Sequence, residues 1–205
     1  MSEKTLLCYG DSLTWWRIPF SDKRISFEKR RPNVLGNLLW NEYVVVEEWL
    51  RWRSIKQGRK EGRNGLEYFY PCLLSHLPIE ILILFLGTNN LFSEYENFGD
   101  YMKEAFSEYN TVIQKASKEL DMEYPKIILV APPHIDTSLD PWNPQNQLIE
   151  SNCSIIAEIY QEVAVKQWWG FLDANKIVWY GRGDGVHIDE EQNFLLWETL
   201  YKIII

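Results

Sequence analysis

Ile79-Glu80-Ile81-Leu82-Ile83-Leu84-Phe85-Leu86 runs straight into Gly87-Thr88-Asn89-Asn90, and on this stretch the fold turns. Its near-continuous hydrophobicity is that of a central parallel strand covered by helices on both faces, whereas a strand with one wet face would alternate. Working outward, residues 4–9, 43–46, 127–131 and 170–172 read as further strands beside 79–86. Residues 65–77, 101–120, 145–167 and 190–204 have helical length and spacing. Asp100 and Asp189 stand where a side chain can cap the first amides of the second and last of these helices. Strand-helix alternation from end to end is the mark of βαβ units around a parallel sheet, here five strands in an α/β fold. With no repeat, low-complexity tract or linker, residues 1–205 read as a single domain. The charged stretch 21–31 reads as a solvated loop.

The 205 residues are 46% hydrophobic and 15% aromatic, which excludes a disordered chain. A formal charge of −8 argues against a nucleic-acid partner, because phosphate backbones are held by clustered Lys and Arg. Cys8, Cys72 and Cys153 are odd in number, far apart and without C-x-x-C spacing, which points to a reducing compartment. The N-terminal apolar stretch is shorter than a secretory core and no run approaches a membrane span, so the expected address is cytoplasmic, with no membrane partner.

Open α/β sheets bind ligands beyond the carboxyl ends of their strands. Four such places carry unusual sequence: Gly10-Asp11-Ser12-Leu13-Thr14, residues 48–54, Gly87-Thr88-Asn89-Asn90, and Asp184-Gly185-Val186-His187. A serine hydroxyl needs a base to take its proton, and the base needs a third group to fix its tautomer. Of three histidines, His76 lies in a helical pattern and reads as a packing residue, and His134 follows the fourth strand as a candidate substrate-loop residue. His187 alone has a carboxylate, Asp184, at turn spacing. Ser12, His187 and Asp184 are therefore the candidate set. The adjacent pair Glu47-Glu48 is a poor acid/base pair, since neighbours on a strand end point to opposite faces.

Gly10-Asp11-Ser12-Leu13-Thr14, Gly87-Thr88-Asn89 and Asp184-Gly185-Val186-His187-Ile188-Asp189, in this order and strand context, resemble the SGNH (GDSL) hydrolase family. The small bacterial arylesterase and acyltransferase branch is nearest, with Ser12-Leu13-Thr14-Trp15 and Glu47-Glu48-x-Leu50-x-x-Arg53-Ser54 falling on its blocks. The resemblance implies a flavodoxin-like three-layer α/β/α sandwich. It also implies Ser12 as nucleophile, His187 as base and Asp184 as its orienter. The oxyanion would be held by the backbone N–H of Ser12, the Asn89 amide and the backbone N–H of Trp52, with Asp11, Trp15 and Gly87 as substrate-binding positions. Ser12 is not in a G-x-S-x-G elbow, which disfavours the ordinary α/β-hydrolase fold.

The activity so implied is that of a serine esterase acting on a small-molecule ester of short acyl chain, with no metal and no cofactor. Self-association is a further expectation the resemblance carries. Three other activities of the same family stay open: carbohydrate deacetylase, lysophospholipase and thioesterase. A non-catalytic binding domain with an impaired oxyanion hole also stays open.

Two departures stand out. Asn90 replaces the family's usual Asp, and Trp16, Trp40, Trp49, Trp52 and Trp197 stand where the pattern usually has glycine. A repeated Gly-to-Trp exchange suggests one cause, a source genome in which UGA encodes glycine. A chain with native tryptophans and an aromatic-rich pocket is the alternative, and sequence leaves both open.

Overall fold

The computed structural model describes residues 4–15, 17–21, 23–24, 35, 39, 42–57, 60–178 and 184–205. Five strands, β1 (Lys4–Gly10), β2 (Tyr43–Trp49), β3 (Ile81–Phe85), β4 (Lys126–Ala131) and β5 (Gly170–Asp173), form one parallel sheet in the order β2-β1-β3-β4-β5. Among the described residues the long helices are α1 (Gly65–His76), α2 (Phe98–Glu119), α3 (Asn146–Gln167) and α4 (Glu190–Ile204).

Alternation along β3 explains its unbroken hydrophobicity. Leu82 and Leu84 face a core shared with Phe69 of α1, Phe106 of α2 and Tyr160 of α3. Ile81, Ile83 and Phe85 face a second core with Leu196, Trp197 and Leu200 of α4. Both faces are dry, so no polar side chain is tolerated on either. Burying each such side chain stabilises the fold by roughly 1.5–3 kcal/mol. The result is the three-layer, flavodoxin-like sandwich expected from the sequence. Its strand order reverses between β1 and β3, which fixes the crevice where a ligand binds.

The element boundaries differ from expectation in instructive ways. β2 runs to Trp49 because Glu47 and Glu48 pair in register with Cys8 and Tyr9 of β1. On the outermost strand of this sheet both carboxylates find partners, Glu47 with Arg24 and Glu48 with His76. α2 begins at Phe98, and its N-cap is Asn97, whose side chain accepts from the Asp100 N–H; Asp100 lies in the first turn and is not the cap. Asp189 caps α4 as expected, accepting from Gln192 N–H at 2.9 Å. Cys8, Cys72 and Cys153 are free and buried. Among the described residues no helix is long and apolar enough to cross a membrane. Most of the stretch 21–31, together with Trp16 and Trp40, lies outside the described residues.

Candidate active site

Ser12 follows β1 in a tight turn held by Asp11, whose Oδ1 accepts from Leu13 N–H at 2.9 Å while its carbonyl accepts from Trp15 N–H. Ser12 Oγ lies 3.0 Å from His187 Nε2, and His187 Nδ1 lies 2.8 Å from Asp184 Oδ2. The other oxygen of Asp184 accepts the backbone N–H groups of Val186 and His187 at 3.1 and 2.9 Å. Gly185 makes that turn possible, with φ +74° and Asp136 O only 2.7 Å from where a Cβ would sit. Burial alone pushes the Asp184 carboxyl up. The hydrogen bonds and charge of His187 and the Val186 amide outweigh this and hold it below the usual carboxylate range. A carboxylate that stays ionised fixes the proton on Nδ1 and leaves Nε2 to accept from the serine.

The third wall follows β3. Gly87 has φ +116° and lies against the Tyr160 hydroxyl, so the chain turns sharply there into Asn89. Asn89 Nδ2 donates to Arg53 O at 3.0 Å. Arg53 is itself buried, and its guanidinium donates to Gly10 O at 3.0 Å and Glu48 O at 2.9 Å. One side chain therefore ties the ends of β1 and β2 together, while its carbonyl holds the residue after β3. Sequence reading placed Arg53 in a family block without seeing this; a charged residue at an apolar strand end was the available signal. Asn90 is likewise engaged at both ends of its amide, accepting from Ile55 N–H and donating to Tyr95 Oη.

Residues 50–53 close a turn in which Arg53 N–H donates to Leu50 O at 3.1 Å and Trp52 has φ +66°. Left-handed backbone at the third residue is the type II pattern, which favours glycine. A cavity of about 610 Å³ opens over these elements, lined by Ser12, Trp52, Asn89, Phe92, Asp184 and His187 among others.

The structure thus brings Ser12, Trp52, Asn89, Asp184 and His187 to one cavity. Asp11, Trp15 and Gly87 are not among the residues lining it. Asp11 is wholly buried, Gly87 shapes the backbone, and Trp15 packs on Trp49 with ring centroids 5.2 Å apart. His76 pairs with Glu48 at 2.9 Å, and His134 lines a different depression. Among the described residues one group has donor atoms close enough to hold a metal: Glu48, Cys72 and His76. Burial, with Glu48 beside it, pushes the Cys72 thiol up to about 12, and none of the three lines the cavity.

Of the suspect tryptophans, Trp49 ends β2 and Trp197 is buried within α4. One that sequence reading did not single out, Trp168, has φ +59° at the end of α3 and is 95% exposed.

Hydroxyl, imidazole and carboxylate in hydrogen-bonded series, at the switch point of a doubly wound sheet, form the constellation of nucleophilic acyl transfer. No family model and no curated protein matches the sequence. Solved structures do. A carbohydrate acetylesterase, Est24, from Sinorhizobium meliloti superposes with a TM-score of 0.87 at 25% identity over 98% of each chain. An aryl esterase from M. smegmatis gives 0.86 at 28% identity, again over 98% of each. A lipase/acylhydrolase from Enterococcus faecalis shares the fold at 0.65 and 18% identity, over 98% of this chain and 95% of that one. The chain has the SGNH (GDSL) hydrolase fold that these esterases share.

Proposed function

We propose that the protein is a serine esterase that cleaves short-chain acyl esters through an acyl-enzyme on Ser12. The observation that carries this is the continuous series from Ser12 Oγ through His187 to Asp184, at 3.0 and 2.8 Å, opening on the cavity. Ser12 Oγ attacks the ester carbonyl carbon as its proton passes to His187 Nε2. Asp184 holds the resulting imidazolium. The carbonyl oxygen gains the negative charge, and its donors are the Ser12 N–H, the Asn89 amide and the N–H of residue 52. Asn89 Nδ2 carries two hydrogens; the Arg53 carbonyl takes one and so orients the other. Collapse of the tetrahedral intermediate breaks the bond to the alcohol, which leaves with the proton from His187. Water then repeats the sequence on the acyl-enzyme and regenerates Ser12.

The solved neighbour named as a carbohydrate acetylesterase supports a short acyl group, and the aryl esterase, whose name gives only the alcohol side, supports ester cleavage. The test is turnover of 4-nitrophenyl acetate together with labelling by a fluorophosphonate. Release of 4-nitrophenol, stopped in step with modification of Ser12, is expected. Turnover that persists in fully modified protein would refute the proposal.

A further inference from the structure

We propose that Glu48, Cys72 and His76 form a zinc-binding site between β2 and α1, apart from the series of Ser12, His187 and Asp184. Their ligand atoms, a carboxylate oxygen, a thiol sulfur and an imidazole nitrogen, all lie within 4.8 Å of one another. The helix sets two of them, because Cys72 and His76 stand four residues apart in α1 and so share one face. The strand sets the third. Val46 packs against the first core, and Glu48, two residues on, points to the same side of β2, where it meets His76. The 2.9 Å contact between His76 Nε2 and Glu48 Oε1 accounts for those two side chains and does not involve the thiol.

Thiolate with imidazole selects zinc over magnesium or calcium, which take oxygen ligands. Tetrahedral zinc, with bonds of about 2.0–2.3 Å, needs its ligand atoms roughly 3.3–3.8 Å apart. No gap here must therefore close by more than ~1.5 Å, while the His76–Glu48 pair opens slightly. The His76 and Glu48 side chains are 25% and 21% exposed and Cys72 is buried, so an ion enters from the solvent side and water completes its coordination. Burial keeps the Cys72 thiol protonated in the free protein, but a coordinating thiol is deprotonated outright. As the sulfur–zinc bond forms, the S–H bond breaks, its proton passes to solvent and no electron moves. Thiolate and carboxylate then offset both charges of the ion. Arg53, the cation beside the site, donates from Nη1 to Gly10 O and Glu48 O, so the strand end that carries one zinc ligand is also the one tied to β1. A bound ion braces α1 against that strand end, behind the turn at 50–53.

Chelator-treated protein, the whole chain, titrated with Co(II) and then Zn(II) tests this. One equivalent of Co(II) should bring a thiolate-to-metal band in the near ultraviolet and the visible bands of a tetrahedral ion, and one equivalent of Zn(II) should remove them. Zinc should also raise the melting temperature. Cys72→Ser should abolish the near-ultraviolet band. Cys72→Ser and His76→Gln should each weaken zinc binding by more than the ~10–100-fold that outer partners of a metal site contribute. His76 is partly exposed, so its variant reports on the site even where Cys72→Ser fails to fold. Cys153→Ser and His187→Ala should keep both band and affinity, which separates this site from another thiol and from the histidine beside Ser12. A cobalt spectrum without the thiolate band, zinc affinity unchanged in His76→Gln, or a band that survives Cys72→Ser or disappears in His187→Ala would overturn the proposal.

Discussion

Ser12 Oγ and His187 Nε2, 175 residues apart in sequence, lie 3.0 Å apart in space, one carried by the end of β1 and the other by the turn before α4. Groups that act as one unit lose their function together. Ser12→Ala and His187→Ala should each remove nearly all ester turnover, and the double variant should lose little more than either alone. Asp184→Asn should leave more activity than either, since it disturbs tautomer and orientation while the nucleophile and base remain. Steady-state rates on 4-nitrophenyl acetate for the four proteins check this. Losses that multiply in the double variant would mean that the two side chains act independently.

In the proposed mechanism Asn89 meets the substrate oxygen only when that oxygen becomes charged, so its truncation should act on the transition state. Asn89→Ala should lower kcat by about 10²–10³-fold with KM little changed. A rise in KM at constant kcat would make it a ground-state binding residue instead. Arg53→Lys tests the support behind it. Both bonds come from one nitrogen, Nη1, while the guanidinium lies 4.1 Å from the centre of the Tyr9 ring; lysine has no planar group to rest on Tyr9 as it donates to both carbonyls, so kcat should fall although residue 53 does not line the cavity.

Asp11 supplies a pH dependence of stability. Burial raises its carboxyl from 3.8 to about 6, with the Leu13 N–H, His187, Thr88 and Arg53 opposing. A carboxyl whose folded value is raised holds its proton more tightly in the native state. Its contribution is therefore full below about pH 4 and is lost as pH rises through 6. Relative to Asp11→Asn, which cannot ionise, the natural chain should lose on the order of 2–3 kcal/mol between pH 4 and pH 7.5. Denaturant midpoints of both proteins across that range measure it. A difference that stays flat with pH would show that Asp11 is not a titrating group in that window.

The triad was legible because its spacing is local where geometry is local: Asp184 and His187 share one turn, and Ser12 follows a recognisable strand. The sheet was legible for a similar reason, since β3 must be apolar on both faces to sit between two cores. What sequence could not reveal is carried by contacts across the strand ends. Arg53 reaches back to Gly10, and Asn90 reaches Ile55, through hydrogen bonds between segments 35 to 43 residues apart. The cavity lining has the same origin, because Arg17, Arg51 and Lys60 meet only when the loops after β1 and β2 fold over one cavity. The cap of α2 was misplaced for a simpler reason: Asn97 and Asp100 both carry capping side chains, and backbone geometry decided between them.

The last prediction separates tryptophan from glycine at three positions whose backbone and burial differ. At Trp168 the φ of +59°, the bond from its N–H to Val165 O and the bond from Trp169 N–H to Ala164 O make the helix-ending motif that glycine favours. Its ring is 95% exposed and buries almost nothing, while a left-handed backbone costs a non-glycine residue about 1–2 kcal/mol. Trp168→Gly should therefore raise the melting temperature. Trp52→Gly should do so less, because the ring gives up its contact with Lys60. Trp197 is the discriminating site, being 1% exposed in the interior of α4 and packed into the second core. If tryptophan is native there, Trp197→Gly leaves a cavity and weakens the helix, at about 3–5 kcal/mol plus ~1 kcal/mol of helix propensity. If UGA encodes glycine in the source, residue 197 is glycine in the natural protein and its neighbours are shaped to that. The substitution should then be neutral or stabilising, and peptide masses from the natural source should read glycine at 52, 168 and 197 alike. A Trp197→Gly protein that melts far lower, with tryptophan masses at all three positions, would end the codon reading and leave Trp52 and Trp168 as strained but genuine residues.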